Sequence, residues 1–133
     1  MTRPWRWFSL AILCTLGELT GCAARGPSAF DRGMAQGAGL LKTGRPRDAA
    51  VVYAELAKSS ADPRKREEAA YSSAVAHEQA GDDAVALAAY DELARGQGER
   101  AIRAVFRATL MRREQGDVDG AQKTLADLLH RAP

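Results

Sequence analysis

The chain has 133 residues with 19 basic and 17 acidic side chains, a formal net charge of +2, and only 6% of its residues are aromatic. This length suffices for one small domain. The near balance of charges excludes the strongly basic surface that nucleic-acid binding requires, so we expect no nucleic-acid partner.

The first 21 residues have the layout of a secretory signal peptide. Arg3 and Arg6 precede an apolar run that extends from Trp7 to Leu16, where a Gly-Glu pair interrupts it. A membrane-spanning helix needs about 20 apolar residues, which this run does not reach. We therefore predict that residues 1–21 are removed during secretion and do not form a permanent transmembrane helix.

A short motif, Leu19-Thr20-Gly21-Cys22, follows the apolar run. It resembles the lipobox of bacterial lipoproteins, in which an aliphatic residue and two small residues precede a cysteine. The resemblance implies cleavage before Cys22, a diacylglycerol on its sulfur and, in many bacteria, an acyl group on its amine. Cys14 does not fit the motif because it follows the large Leu13, and it is expected to leave with the signal peptide.

The lipid anchor has one alternative, an ordinary signal peptide that is cut after Ala23 or Ala24. With the anchor, residues 22–28 form a lipidated tether that is rich in small and polar residues. Ala23 stands where an aspartate retains enterobacterial lipoproteins in the inner membrane. This implies the periplasmic face of the outer membrane, with the outer face of the inner membrane as the alternative.

Residues 29–133 contain an internal repeat. Gly44, Gly81 and Gly116 are 37 and 35 residues apart. An alanine follows each glycine after five residues, a large apolar residue after four more and a leucine after three more. These residues are Ala49, Tyr53 and Leu56, then Ala86, Tyr90 and Leu93, then Ala121, Leu125 and Leu128. The spacing places each set on one face of a helix, so the pattern predicts an all-α fold.

Residues around the glycines predict where the helices begin and end. Each glycine is expected to end a helix in the left-handed conformation. Asp82 and Asp117 are predicted to cap the helices that follow, and Pro46 and Pro63 suit a first helical turn. Three further glycines lie within the first helix, where each costs about 1 kcal/mol relative to alanine.

The repeat is similar to the tetratricopeptide repeat, a helix pair of about 34 residues per unit. The turn glycine, the alanine, the aromatic residue and a closing proline at position 133 carry the resemblance. The tryptophan of the family's first helix is absent, and Arg112 occupies a position that is usually apolar. We predict an all-α, helical-hairpin repeat solenoid of about three units and six helices, with repeats at about 29–62, 63–97 and 98–133. A Sel1-type repeat and a plain helical bundle are the alternatives.

The resemblance implies a concave surface, lined by the first helix of each pair, that holds peptide segments of other proteins. On that frame Ala38 and Glu78 also face inward, and the groove is apolar with a basic end. Its predicted partner-binding residues are Met34, Leu41, Tyr71, Val75, Arg103, Phe106, Leu110 and Arg113. In the alternative, Phe106 and Leu110 pack between repeats and the arginines are solvated.

The last repeat has no polar capping helix after it in this sequence, although repeat arrays usually carry one. We therefore expect the face around Val118, Leu125 and Leu129 to dock on a partner or on another copy of the chain. The function implied is a membrane-anchored scaffold or adaptor for an envelope complex of the secretion, pilus or outer-membrane assembly type. The alternative is a self-associating structural envelope component that binds no peptide.

The sequence offers little for catalysis. His77 and His130 lie in different repeats without metal-ligand spacing, and there is no His-Glu-x-x-His motif and no glycine-rich phosphate loop. We therefore expect no enzyme activity, no metal and no cofactor.

Overall fold

A computed structural model describes residues 26–131, and every regular element in that range is an α-helix. The six helices are α1 (Ala29–Lys42), α2 (Pro46–Ser59), α3 (Pro63–Gln79), α4 (Asp83–Ala94), α5 (Glu99–Glu114) and α6 (Val118–Arg131). The prediction of an all-α fold with six helices is confirmed. The predicted signal peptide and Cys22 lie outside the described residues.

The helices stack as three hairpins, α1–α2, α3–α4 and α5–α6, and each helix packs against the next in the chain. In addition, α1 contacts α3 and α3 contacts α5, whereas no even-numbered helix contacts another even-numbered helix. The first helices of the hairpins therefore lie closer together than the second helices do. This is the arrangement of a helical-hairpin solenoid with α1, α3 and α5 on its inner side.

The three turn glycines end α1, α3 and α5 as predicted. Gly44, Gly81 and Gly116 have φ angles of 71°, 74° and 81°. The N–H group of the next residue donates to a carbonyl five residues back, as from Asp82 to His77 at 2.9 Å and from Asp117 to Arg112 at 2.8 Å. This hydrogen-bond pattern is the Schellman motif, and its three occurrences give the hairpins the same turn.

The helix starts agree with the sequence at all but one of the predicted positions. Pro46 and Pro63 lie in the first turns of α2 and α3. The Asp117 carboxylate accepts a hydrogen bond from the Gly120 N–H group at 2.8 Å and so caps α6. The prediction for Asp82 is wrong, because its side chain makes no capping hydrogen bond to α4 and pairs instead with an arginine of α2.

The interior is built largely from alanine, which lets the helices approach closely. One core cluster joins α1, α2 and α3, and a second joins α3 to α6. The largest buried side chains of these clusters include Tyr53 and Tyr90, which both come from the sequence repeat. The repeated alanines Ala49, Ala86 and Ala121 are also buried. The repeated alanines and tyrosines thus lie in the core, and the repeated leucines pack partly buried against it.

The structure explains why two positions of α1 are occupied by glycine. A Cβ atom on Gly37 would lie 2.4 Å from the Tyr53 ring, and one on Gly33 would lie 2.7 Å from Leu56. Both glycines therefore let side chains of α2 rest against the α1 backbone. Their cost in helix propensity is offset by the contact area that this approach provides.

Candidate protein-binding surface

The predicted binding residues of the first two hairpins serve mainly as packing residues. Met34 and Leu41 are half-buried against the cluster of α1, α2 and α3. Tyr71 and Val75 are half-buried against the cluster of α3 to α6, and the ring centroids of Tyr71 and Tyr90 are 5.8 Å apart. These four side chains therefore present only part of their surface at the inner side of the solenoid.

The last hairpin differs, because large apolar side chains of α5 are exposed. Phe106 is 54% exposed and Leu110 is 46% exposed. Ile102, which the sequence analysis did not include, is 44% exposed and lies one turn before Phe106. The spacing of four residues places the three side chains on one face of α5. That spacing was the signal that would have identified Ile102.

Two arginines that were predicted for the groove flank this apolar stripe. Arg103 and Arg113 are both exposed. The Arg103 Nη2 atom is 2.6 Å from Glu99 Oε1, one turn earlier in the same helix. An exposed pair of this kind contributes only about 0.2–1 kcal/mol, so Arg103 is free to exchange its partner. We call Ile102, Arg103, Phe106, Leu110 and Arg113 together the α5 open face.

A partly buried polar network behind the α5 open face joins α5 to α3 and α4. The Tyr90 hydroxyl donates to Glu78 Oε2 at 2.8 Å, and the Arg107 Nε–H group donates to the same oxygen at 3.1 Å. Burial raises the pKa of Tyr90, and the hydrogen bond to Glu78 raises it further. The tyrosine therefore remains a neutral donor at physiological pH. Glu78, which was expected to line the groove, is thus engaged within the fold.

A second network fixes the opposite side of α5. Arg112 donates to both carboxylate oxygens of Asp91, at 2.9 and 2.6 Å, and to Thr124 Oγ1 at 3.0 Å. The hydrogen bond to Asp91 raises the pKa of Arg112, whose guanidinium is charged at physiological pH in any case. A bidentate pair of this kind satisfies a mostly buried guanidinium. This pairing explains how an arginine is accommodated at a mostly buried position.

Helix α6 exposes one further large apolar side chain near each of its ends. Val118 is 55% exposed and Leu129 is 75% exposed. Leu125 is half-buried and packs against the core cluster, so it contributes less to this outer face than expected. The outer face of α6 is therefore narrower than the α5 open face.

An open cleft of about 770 Å³ between α4 and α6 is lined partly by Asp91 and Arg112, which pair with each other. Arg131 at its rim donates to the Ala94 carbonyl at 2.7 Å. Within residues 26–131, no three histidine, cysteine, aspartate or glutamate side chains are grouped as a metal site would require.

None of the six helices is long and apolar enough to cross a membrane, as judged over the residues that the structure describes. Comparison with known proteins found no matching protein-family model, no matching curated protein and no matching solved structure.

Proposed function

We propose that this chain is a lipid-anchored scaffold or adaptor protein that binds other proteins in a bacterial envelope complex. The observation that carries the proposal is the exposed apolar stripe of Ile102, Phe106 and Leu110 on the inner helix of the last hairpin. Contiguous exposed apolar surface of this kind marks sites of protein interaction. Two polar networks hold the helices behind this stripe.

The proposed anchor rests on the motif that ends at Cys22 and on its resemblance to the lipobox. Two or three acyl chains give stable membrane attachment where one chain does not, at about 0.8 kcal/mol per buried methylene. The short segment between Cys22 and α1, which begins at Ala29, would hold the binding surface close to the membrane. We assign the chain to the periplasmic face of the outer membrane.

The test is a crosslinking pull-down of the full-length protein from its native envelope. Phe106→Ala and Arg103→Glu should each lose the captured partner, because they remove the central apolar contact and one flanking charge. Val51→Ala is the matched control, since Val51 is 62% exposed but lies on the outer helix α2. Intact mass on the same sample should show acylated Cys22. Equal capture by all four proteins would refute the proposal.

The second candidate function is a self-associating envelope component, which the exposed Leu129 and Val118 of α6 favour. Sedimentation of the full-length protein in detergent distinguishes the two. A mass that rises with protein concentration and returns to that of a monomer in Leu129→Glu would favour self-association. A monomer at all concentrations would favour the adaptor.

A further inference from the structure

The internal repeat shows what kind of surface the α5 open face is. A shift of 35 residues, from Gly81 to Gly116, superimposes the sequence of α3 on that of α5. Tyr71 then corresponds to Phe106 and Val75 to Leu110. The α3 residues are half-buried because the following helices pack against them, whereas no helix within residues 26–131 covers their α5 counterparts. The α5 open face is therefore the surface on which one more helix would stack.

Equivalent positions of α3 and α5 carry side chains of opposite charge. Across the contact between α3 and α5, Glu68 pairs with Arg100 at 3.2 Å and Glu78 pairs with Arg107. The same shift of 35 residues maps Glu68 onto Arg103 and Glu78 onto Arg113. Helix α3 thus presents two carboxylates to the arginines of its neighbour, whereas α5 presents two arginines at the same positions. A helix that stacks on α5 must therefore carry the carboxylates.

Helix α5, which packs against α3, shows which residues a helix needs in order to stack on the α5 open face. Helix α5 places Arg100 and Arg107 seven residues apart, which is two turns. Ala104 lies between the two arginines in the sequence, and Ala108 directly follows the second. Both alanines are fully buried in the core cluster against which Tyr71 and Val75 pack. Small residues at these positions let two helices approach closely. The complementary helix accordingly combines acidic residues seven apart with small residues on the same face.

A second copy of this chain does not supply such a helix. In a head-to-tail stack, α1 of the next copy would occupy the site. The repeat spacing places Ser28, the N-cap of α1, and Ala35 at the positions of Arg100 and Arg107, and it places Arg32 and Gln36 at those of the buried alanines. Helix α1 therefore has no carboxylate at either of these two positions, and Arg32 would bring a third arginine to the contact. A two-fold pairing of α5 faces would place the arginines of both copies in one interface, where like charges repel.

We propose that the α5 open face receives a helix of a partner protein that carries two carboxylates seven residues apart, facing Arg103 and Arg113, with small residues over Phe106 and Leu110. The inference rests on the proposed adaptor function and names the class of partner. The docked helix continues the solenoid as a seventh helix. Its recognition combines apolar burial with two charge pairs, which is the helix-in-groove mode of peptide binding.

The test uses two labelled peptides that copy residues 99–114. One keeps Arg100 and Arg107, and the other carries Glu at both positions. We expect the full-length protein in detergent micelles to bind the acidic peptide about tenfold more tightly, measured by fluorescence anisotropy. This preference should weaken when the salt concentration is raised, because exposed charge pairs are screened.

Reciprocal substitution in the protein makes the test specific. Arg103→Glu combined with Arg113→Glu should reverse the preference in favour of the basic peptide. Lys42→Glu combined with Arg64→Glu is the matched control, since both residues are exposed and lie outside the α5 open face. This control should keep the preference for the acidic peptide. Phe106→Ala should weaken binding of either peptide, and circular dichroism should show that each variant remains helical.

Three outcomes would overturn the inference. These are equal binding of the two peptides, no binding of either, and a dimer that forms through the α5 open face. If neither peptide binds but the envelope pull-down still loses its partner in Phe106→Ala, the adaptor function stands and the helical acidic partner is wrong. If the pull-down recovers no partner either, both proposals fail together.

Discussion

At the scale of single residues, the two inner glycines of α1 test how closely the first hairpin is packed. Gly37→Ala places a methyl group 2.4 Å from the Tyr53 ring, so the ring or the helix must shift. We expect a loss of about 1–3 kcal/mol in the free energy of unfolding, which urea denaturation followed by circular dichroism would measure.

Gly39→Ala is the control within the same helix, because no atom lies within 4 Å of the added methyl group. Helix propensity then acts alone, and we expect this variant to gain about 0.5–1 kcal/mol. Destabilisation by both variants, or by neither, would contradict the close contact between α1 and α2.

The Asp82 carboxylate gives a second prediction at this scale, through the pH dependence of stability. Its hydrogen bonds with Arg47, at 2.8 and 3.1 Å, lower the pKa of Asp82 below the ordinary value of 3.8. A lowered pKa means that the charged form stabilises the fold above pH 3.8 and that this contribution is lost as the pH falls through the folded-state pKa.

Arg47→Ala should therefore be less stable than the unaltered protein near neutral pH, and the difference should shrink as the pH falls below 3.8. Urea denaturation at a series of pH values measures the difference. Lys58→Ala is a matched control, because Lys58 also pairs with a carboxylate but only within its own helix. A difference for Arg47→Ala that does not change with pH would contradict the assignment.

At the scale of elements, the local features were predictable and the long-range ones were not. A left-handed glycine or a proline in a first turn depends on neighbouring residues, so the turns at Gly44, Gly81 and Gly116 followed from the sequence. Asp82 was assigned to a cap because nothing in its neighbourhood showed that Arg47, 35 residues earlier, would bind it. Glu78 was assigned to the groove for the same reason, because its partner Arg107 lies in the next repeat.

The network that joins α3, α4 and α5 gives a prediction at this scale. Tyr90→Phe removes one donor from Glu78, which keeps Arg107, and we expect a loss of about 0.5–1.5 kcal/mol in the free energy of unfolding. Tyr53→Phe is the matched control, since burial alone raises the pKa of Tyr53, without a hydrogen bond. An equal loss in the two variants would show that the Tyr90 hydroxyl does not couple the hairpins.

At the scale of the whole molecule, the sequence repeat explains why equivalent apolar side chains of the inner helices differ in exposure. Met34, Tyr71 and Phe106 occupy equivalent positions of the three repeats. The exposure of each side chain depends on how many helices stack beyond it. The first two are half-buried, whereas Phe106 is 54% exposed. The periodicity predicted which residues are equivalent. It did not predict their exposure, because exposure depends on the helices that pack later in the stack.

The separation between anchor and domain gives the last prediction. Cys22 precedes α1 by several residues, and the described domain is held by its own core, so the proposed lipid should not contribute to the stability of the helices. Cys22→Ala should therefore move the protein from the membrane fraction to the soluble fraction and leave its melting temperature unchanged. Capture of the partner should also fall, because the tether no longer raises the local concentration at the membrane. Cys14→Ala is the matched control and should leave the protein in the membrane fraction. Release by Cys14→Ala, or retention of Cys22→Ala, would contradict an anchor at Cys22.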